Sequence, residues 1–353
     1  MCARLARVGP SNRVWCSRLS HPRGLVTVVF SVLDLARIGE GENAVDAFTN
    51  SVALARHAED LGCSRVWYAE HHNMATVASS APAVLIAHVA AHTSRIVLGA
   101  GGVMLPNHSP LVVAEQYGML ATLHPGRIEL GLGRAPGSDQ VTLRAMRRDH
   151  SSADSFPEDV LELEGYLRGE SRVAGVSAVP GAGTDVPLFI LGSSLYGARL
   201  SALLGLPFAF ASHFAPVALR EAVALHRAEF TASRRLERPH VYAAVNVICA
   251  DRRDDALAEF ERTARDRVRF FVGRGLDLSE DDLDRLVASP QGRQVLDMMR
   301  HTVVGTPSEV AAGLEEFRSF ADADELVLSL AAPTAEGRLR TLGLVVEASS
   351  VAA

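Results

Sequence analysis

The sequence predicts an α/β protein, a (β/α)8 TIM barrel with insertion loops. Short β-branched or apolar segments alternate with longer helical segments from residue 25 onward. Repeated strand–helix–strand units connect right-handedly, and a closed parallel barrel is their most economical arrangement. The turn after the first predicted strand, residues 34–40, lacks the glycine-rich motif of a doubly wound nucleotide-binding sheet. We therefore favour the barrel over an open sheet.

Eight strands are predicted from runs of apolar residues, and eight major helices from apolar residues at helical spacing. The strands cover residues 25–35, 65–69, 96–100, 128–132, 188–191, 208–211, 241–250 and 325–330. The helices cover residues 44–61, 82–92, 110–123, 196–204, 218–230, 254–271, 307–320 and 336–348. Gly62 is a plausible stop for the first helix, and Pro110 suits a helix start.

Four segments depart from this alternation. Residues 134–157 form a polar excursion, and a short helix follows over residues 158–167. We expect the loop 168–186 and the acidic segment 275–300 to be insertions that act as lids. Residues 1–24 contain five arginines and no acidic residue, so we expect a disordered basic extension. Residues 25–353 are then predicted to form a single barrel domain.

Composition excludes several classes of protein. The chain has 353 residues, of which 48% are hydrophobic, and a net charge of −6 offers no basic surface for nucleic acid. Four scattered cysteines without C-x-x-C spacing fit a reducing cytoplasm. No apolar run is long enough to span a bilayer, so we expect no membrane partner. No set of His, Asp and Glu residues has convincing metal-ligand spacing, so we expect no metal.

Polar residues follow the second and third predicted strands. Glu70, His71 and His72 come directly after a short apolar run, and Asn107 and His108 follow the next strand. In a barrel enzyme the catalytic residues lie at the carboxyl ends of the strands. Histidine exchanges protons near neutral pH. A polar loop that only caps the next helix is the alternative interpretation.

A phosphate site is predicted where the fourth and fifth strands end. Gly192, Ser193 and Ser194 precede a helix, whose free N–H groups and dipole favour an anion. Arg134 can add a charged bidentate contact. The small residues 99–102 let a flat ligand approach the backbone. Each feature alone also fits an ordinary cap or bulge, but together they favour a planar, phosphate-bearing ligand.

With these motifs the chain resembles the bacterial-luciferase-like flavin monooxygenases. The resemblance rests on ordered motifs from about residue 25 to 250, with a weaker tail to 330. They are Glu70-His71-His72, the run from Gly99 to Pro106, His124-Pro125-Gly126-Arg127, Gly131-Leu132-Gly133-Arg134 and Leu191-Gly192-Ser193-Ser194. Gly133 stands where the luciferase proper has a reactive cysteine, so light emission is not implied.

The resemblance implies a barrel that binds reduced FMN at its carboxyl-terminal mouth. It implies that His71 is a catalytic acid/base and that Arg134, Ser193 and Tyr196 hold the phosphate. Relatives have a non-prolyl cis peptide under the flavin, and the matching bond is Gly101–Gly102. It also implies a homodimer, which the predominantly apolar helices 82–92 and 110–123 favour. Tight packing of these helices within one subunit is the alternative.

We therefore expect a monooxygenase that uses FMNH₂ from a separate reductase and O₂ to oxidise a small organic substrate. Glu70, Asn107, His108 and His213 are the candidate substrate or pocket residues. His213 follows the sixth strand, where a structural role is equally consistent. The alternatives are a deazaflavin (F420)-dependent oxidoreductase and a flavin-binding protein without turnover, against which His71 argues.

Overall fold

A computed structural model of the protein describes residues 30–135, 139–273 and 276–351. The nine strands in these ranges are β1 (Phe30–Asp34), β2 (Arg65–Tyr68), β3 (Val97–Met104), β4 (Ile128–Gly133), β5 (Leu188–Gly192), β6 (Phe208–Phe210), β7 (Val241–Cys249), β8 (Thr302–Gly305) and β9 (Glu325–Leu330). The fold class is the (β/α)8 TIM barrel with insertion loops, as predicted. The predicted basic extension, residues 1–24, lies outside the described residues.

Twelve α-helices occur in the described ranges. They are α1 (Ala44–Asp60), α2 (Pro82–Ala90), α3 (Pro110–Leu123), α4 (Gln140–Ala145), α5 (Phe156–Arg168), α6 (Leu195–Leu204), α7 (Leu219–Glu229), α8 (Arg253–Phe271), α9 (Glu280–Ala288), α10 (Pro290–Asp297), α11 (Pro307–Ala321) and α12 (Ala335–Val351). No helix in these ranges is both long and apolar enough to cross a membrane.

The strands are apolar and buried along their length. Every residue of β1, β4 and β7 is buried. Continuous burial is typical of parallel strands that have both faces covered, whereas an antiparallel sheet with one wet face would alternate. This explains why the strands read as apolar runs in the sequence.

Helix ends follow local sequence signals. Asn43 begins α1 with a capping box, because its side chain accepts from the N–H of Asp46 and Asp46 accepts from the N–H of Asn43. Helices α5 and α6 end at Gly169 and Gly205, where φ is 76° and 62°. Glycine tolerates this left-handed conformation without steric cost.

The described chain divides into two compact units. The N-terminal unit covers residues 30–210 and 220–242 and contains β1 to β6. Within it each strand pairs in parallel with the next in chain order. The pairing of β3 with β4 shifts in register between Ala100 and Val103. Because all six strands are parallel, their carboxyl ends lie at one edge.

The C-terminal unit covers residues 211–219 and the described residues from 243 onward. Within it β7 pairs in parallel with β8, with Asn246 opposite Thr302. Helix α8 contributes Ala264 and Val268 to a core that also contains Leu296 of α10. The prediction of one domain over residues 25–353 stays a prediction.

At three places the elements differ from the prediction by more than a few terminal residues. Strand β8 was not predicted, because its four residues lie between an acidic segment and a helix and are too few to show a period. Strand β3 extends to Met104 rather than ending at Ala100, because glycines in its middle hide the strand pattern. Within the polar excursion 134–157, α4 begins at Gln140 behind an Asp139 cap.

Candidate functional site

Polar residues follow the ends of neighbouring strands at the carboxyl edge of the N-terminal unit, and the strand register shows which ends are adjacent. Trp67 of β2 is opposite Gly99 of β3, while Gly133 of β4 is opposite both Met104 of β3 and Leu191 of β5. Arg134 directly follows Gly133, and Gly192 directly follows Leu191. The residues predicted from separate strand ends are therefore brought to one edge.

Glu70 lies at the centre of a group of imidazoles. Its side chain is fully buried, and its Oε1 atom is 2.8 Å from Nε2 of His72 and 2.8 Å from Nε2 of His108. Its Oε2 atom accepts from the backbone N–H of Met104 at 3.0 Å. Burial alone would raise the pKa of Glu70, but the hydrogen bonds from His108 and His72 outweigh it and lower the pKa to about 2. The carboxylate is therefore ionised at neutral pH.

His71 lies in a closed loop after β2. Its backbone N–H donates to the carbonyl of Ser79 at 3.0 Å, and the Ser79 hydroxyl donates back to the carbonyl of Ala69. Val77 of the same loop forms an antiparallel bridge with Arg37. These hydrogen bonds hold the backbone at His71 in place, while the His71 side chain is half-buried.

The glycines of β3 pack closely against neighbouring strands. The Gly101–Gly102 peptide is cis, as the resemblance implies. A Cβ atom on Gly101 would lie 2.8 Å from Cβ of Trp67, and one on Gly102 would lie 2.7 Å from the carbonyl oxygen of Gly131. Real Cβ atoms do not approach so closely, so both positions require glycine.

Arg134 and Tyr196 form an exposed pair where β4 and β5 end. The guanidinium carbon of Arg134 lies 4.2 Å from the centre of the Tyr196 ring, and Nε of Arg134 donates to the carbonyl of Ala153 at 3.3 Å. Ser193 and Ser194 are exposed. Ser194 is the N-cap of α6, yet its side chain makes no capping hydrogen bond. The first N–H groups of α6, two hydroxyls and a cation together suit an anion.

The two other predicted pocket residues, Asn107 and His213, belong to different units. Asn107 ends the 3₁₀ turn Leu105–Asn107 and is half-buried. His213 lies in the C-terminal unit, beyond the end of β6, where its carbonyl accepts from Nδ2 of Asn246 at 2.6 Å. Its ring contacts Phe214 at 5.0 Å. Its role as a pocket residue stays a prediction.

The sequence did not reveal how some residues support this site. Nothing in the spacing connects His72 with His108 through Glu70, or Ser79 with His71. The ligating atoms of Glu70, His72 and His108 lie within 4.8 Å of one another, a group that could hold a metal ion. Their hydrogen bonds already account for this grouping.

The residues present fit FMN, the cofactor that the resemblance implies. The exposed cation, the two hydroxyls and the helix start suit its phosphate. The glycine pair of β3 suits a flat ring, because neither Gly101 nor Gly102 places a side chain between a ligand and the backbone. The same features fit any planar ligand with a phosphate, a deazaflavin included.

Comparisons with known proteins identify the family of this chain. Residues 28–323 match the family model described as luciferase-like monooxygenase. A protein of Escherichia coli (strain K12) named luciferase-like monooxygenase is 47% identical over 308 residues, which are 86% of this chain and 91% of that protein. The crystal structure of apo-MsnO8 has a TM-score of 0.81 and 33% identity, and the match covers 92% of this chain and 98% of that one.

More distant solved structures share the fold. The oxygenating constituent of 3,6-diketocamphane monooxygenase from Pseudomonas putida, a type II Baeyer–Villiger monooxygenase in complex with FMN, has a TM-score of 0.68 and 17% identity, over 92% of this chain and 98% of that one. An F420-dependent secondary alcohol dehydrogenase has a TM-score of 0.64 and 16% identity, over 92% of this chain and 99% of that one.

Proposed function

Because this chain belongs to the luciferase-like monooxygenase family, we propose that it is an FMN-dependent monooxygenase. It takes FMNH₂ from a separate flavin reductase in the cytoplasm and uses O₂ to oxidise a small organic substrate. The observation that carries the proposal is the pairing of Arg134 with Tyr196 beside the exposed hydroxyls of Ser193 and Ser194. Bound FMN supplies the electrons that activate O₂, and the protein supplies position, shielding and protons.

The phosphate of FMN is bound at the start of α6. Arg134 provides charge, Ser193 and Ser194 provide hydroxyls, and Gly192 leaves the adjacent backbone open. Tyr196 packs against the guanidinium and limits its motion, which lowers the entropy lost on binding. The flavin ring lies over Gly101 and Gly102, where any side chain would clash.

His71 manages protons in this proposal. The hydrogen bonds of Ser79 hold the backbone at His71 in place after β2, so that its imidazole starts from a fixed point. Asn107 and His108 are the proposed substrate contacts of the N-terminal unit, Glu70 is buried behind the His108 ring, and the role of His213 stays a separate prediction. No metal and no nucleic acid takes part. A reductase is needed because the sequence has no glycine-rich turn for a nicotinamide cofactor.

Two alternatives remain distinct from this proposal. An F420-dependent oxidoreductase would use the same phosphate site, but the F420-dependent dehydrogenase shares only 16% identity. The protein of 47% identity is named a monooxygenase, which supports oxygen chemistry. A flavin-binding protein without turnover would have no use for His71 as a proton carrier.

Anaerobic titration separates the two cofactors. We expect the full chain to bind FMNH₂ at least about 10-fold more tightly than reduced F420, a difference of about 1.4 kcal/mol. A preference for F420 would reject the proposal in favour of hydride transfer. Oxygen consumption by the chain with NADH, FMN and a flavin reductase then tests turnover, and the same mixture without the chain is the control, because free FMNH₂ also reacts with O₂.

We further propose a homodimer formed through α2 and α3, which contact each other. Four large apolar side chains are exposed there: Val84 of α2 and Val112, Met119 and Leu123 of α3. Residues 112, 119 and 123 follow helical spacing and share one face. A second copy of the chain would cover this apolar face, which water covers poorly.

A further inference from the structure

The Glu70 carboxylate determines which nitrogen of two imidazoles carries hydrogen. The buried Glu70 carboxylate accepts the backbone N–H of Met104 at Oε2, and a carboxylate can only accept hydrogen bonds. Nε2 of His72 and Nε2 of His108 both lie 2.8 Å from its Oε1 atom. Both Nε2 atoms must therefore donate. In the neutral form of each ring, Nδ1 is then left as the acceptor.

His108 presents this acceptor on a rigid support. It follows the buried turn Leu105–Asn107, and its backbone N–H donates to the carbonyl of Leu105 at 2.9 Å. Its side chain is 32% exposed, compared with 20% for His72. Within the described ranges Glu70 is the hydrogen-bond partner of the His108 ring, and that bond occupies Nε2. Nδ1 is accordingly open to a ligand.

His108 follows β3, the strand that carries the proposed flavin site at Gly101 and Gly102, after one 3₁₀ turn. Met104 of the same strand donates its N–H to Glu70 at 3.0 Å. The buried Glu70 carboxylate therefore holds both β3, the strand that would lie under the flavin, and the ring of His108.

We propose that Glu70 and His108 form a carboxylate–imidazole dyad in which Nδ1 of His108 is a second proton carrier beside His71. This inference rests on the proposed function above. Glu70 is the positioning residue, since it acts only through the ring. Orientation of an imidazole by a buried carboxylate is a general way to fix its tautomer and to stabilise the imidazolium that forms.

The proton transfer balances within the proposed reaction. Bound FMNH₂ would supply two electrons and two protons to O₂, which gives FMN and H₂O₂ when no substrate is present. Nδ1 of His108 would accept one of these two protons. The imidazolium charge faces ionised Glu70, and the proton is then passed to oxygen. The ring ends the cycle unchanged.

The same three side chains could instead hold a metal ion, since their ligating atoms lie within 4.8 Å of one another. The two possibilities make opposite predictions about hydrogen. In the dyad both Nε2 atoms keep their hydrogens, whereas a metal would displace them. Addition of Zn²⁺ to the full chain therefore distinguishes them.

Nitrogen NMR of the full chain labelled at histidine tests the tautomer without any activity. We expect His72 and His108, assigned from the spectra of His72→Gln and His108→Gln, to carry hydrogen at Nε2. In Glu70→Gln the His108 ring should lose this preference. A wild-type His108 that carries hydrogen only at Nδ1, or stoichiometric Zn²⁺ binding at micromolar concentration, would overturn the dyad.

Stopped-flow oxidation of the FMNH₂-loaded chain by O₂ tests the proton transfer. Release of H₂O₂ should slow at least about 10-fold in His108→Ala, a modest value for loss of a general acid–base group. Added imidazole should restore part of the rate, because the site is open to solvent. His57→Ala on α1, which lies outside the Glu70 group, is the matched control and should release H₂O₂ at a rate within about 2-fold of wild type.

The outcomes separate this inference from the proposed function. If His108→Ala binds FMNH₂ and releases H₂O₂ as fast as wild type, the dyad is wrong while the monooxygenase proposal stands. A slow His108→Ala variant that imidazole does not restore also contradicts a proton-carrying role. If the wild-type chain does not bind FMNH₂, the proposed function fails, and the NMR result still decides the tautomer.

Discussion

The guanidinium of Arg134 lies over the Tyr196 ring, with 4.2 Å between the guanidinium carbon and the ring centre. The two residues follow adjacent parallel strands, and both are exposed. A cation that packs on an aromatic face keeps its charge and its planar donors available. The pair therefore holds a positive charge at the strand edge before any ligand arrives.

Replacing Arg134 with Ala should weaken FMN binding by about 10- to 100-fold, since a charge-assisted hydrogen bond contributes roughly 1.5–3 kcal/mol. Binding of riboflavin, which has no phosphate, should change little. Anaerobic fluorescence titration with both reduced flavins measures this difference. Arg56→Ala, at an exposed position of α1, is the control. Equal losses for FMN and riboflavin would show that Arg134 does not bind the phosphate.

Much of the fold could be predicted because strands and helices differ in length and period. Helix α3 and strand β9 have the predicted bounds, since Pro110 marks the start of α3 and a short run rich in Leu and Val marks β9. Strand β8 could not be predicted, because four residues carry no readable period. Residues 101–104 of β3 were not predicted as strand, because Gly101 and Gly102 have low strand propensity.

The candidate site could be predicted only as far as strand ends reveal it. Glu70, Arg134 and Ser193 each follow an apolar run, so topology places them at one edge. The bond from Nε2 of His108 to Glu70 depends on the path of a 3₁₀ turn, which leaves no periodic signal. Ser79 supports His71 through a loop whose closure depends on backbone contacts rather than on residue type.

Replacing His71 with Ala should lower product formation by at least about 10²-fold, the usual lower bound for loss of a general acid–base group. FMNH₂ affinity should remain, because the proposed phosphate contacts are elsewhere. The assay combines the chain, a reductase and the first substrate found by screening aldehydes and natural-product scaffolds. His57→Ala on α1 is the matched histidine control. Turnover equal to wild type would remove His71 from the mechanism.

Acid should weaken the fold through Glu70. Its pKa is 4.5 in the ordinary state and about 2 in the fold, a lowering that corresponds to about 3 kcal/mol. A lowered carboxyl pKa stabilises the fold fully above about pH 4.5, and this contribution is lost as the pH falls towards 2. Urea unfolding at several pH values should show that the free energies of unfolding of wild type and Glu70→Gln converge as the pH falls across that window.

The control for Glu70 is Glu170→Gln, because the Glu170 side chain is 64% exposed. Its unfolding free energy should follow that of wild type at every pH. A gap between wild type and Glu70→Gln that stays constant from pH 5 to pH 2.5 would contradict the assignment of this acid sensitivity to Glu70.

Helix α3 should not tolerate a side chain at Gly118. A Cβ atom there would lie 2.1 Å from Cα of Gly181 in the loop 168–186. Because backbone must move, Gly118→Ala should lower the free energy of unfolding by about 1–3 kcal/mol. Gly197→Ala on α6 is the control, since its nearest contact would be an ordinary 3.5 Å. Urea unfolding compares the two, and equal stability of both variants would show that α3 and the loop separate easily.

The exposed apolar face of α2 and α3 should control the oligomeric state. Met119 is 52% exposed, so Met119→Glu should leave the unfolding free energy of a monomer within about 0.5 kcal/mol. In a dimer the same change buries a charge on each side of the interface and should raise the dissociation constant at least about 10-fold. Leu203→Glu on α6, where Leu203 is 61% exposed, is the control and should stay dimeric. Sedimentation velocity measures all three chains, and a wild-type chain that sediments only as a monomer at micromolar concentration would remove the dimer.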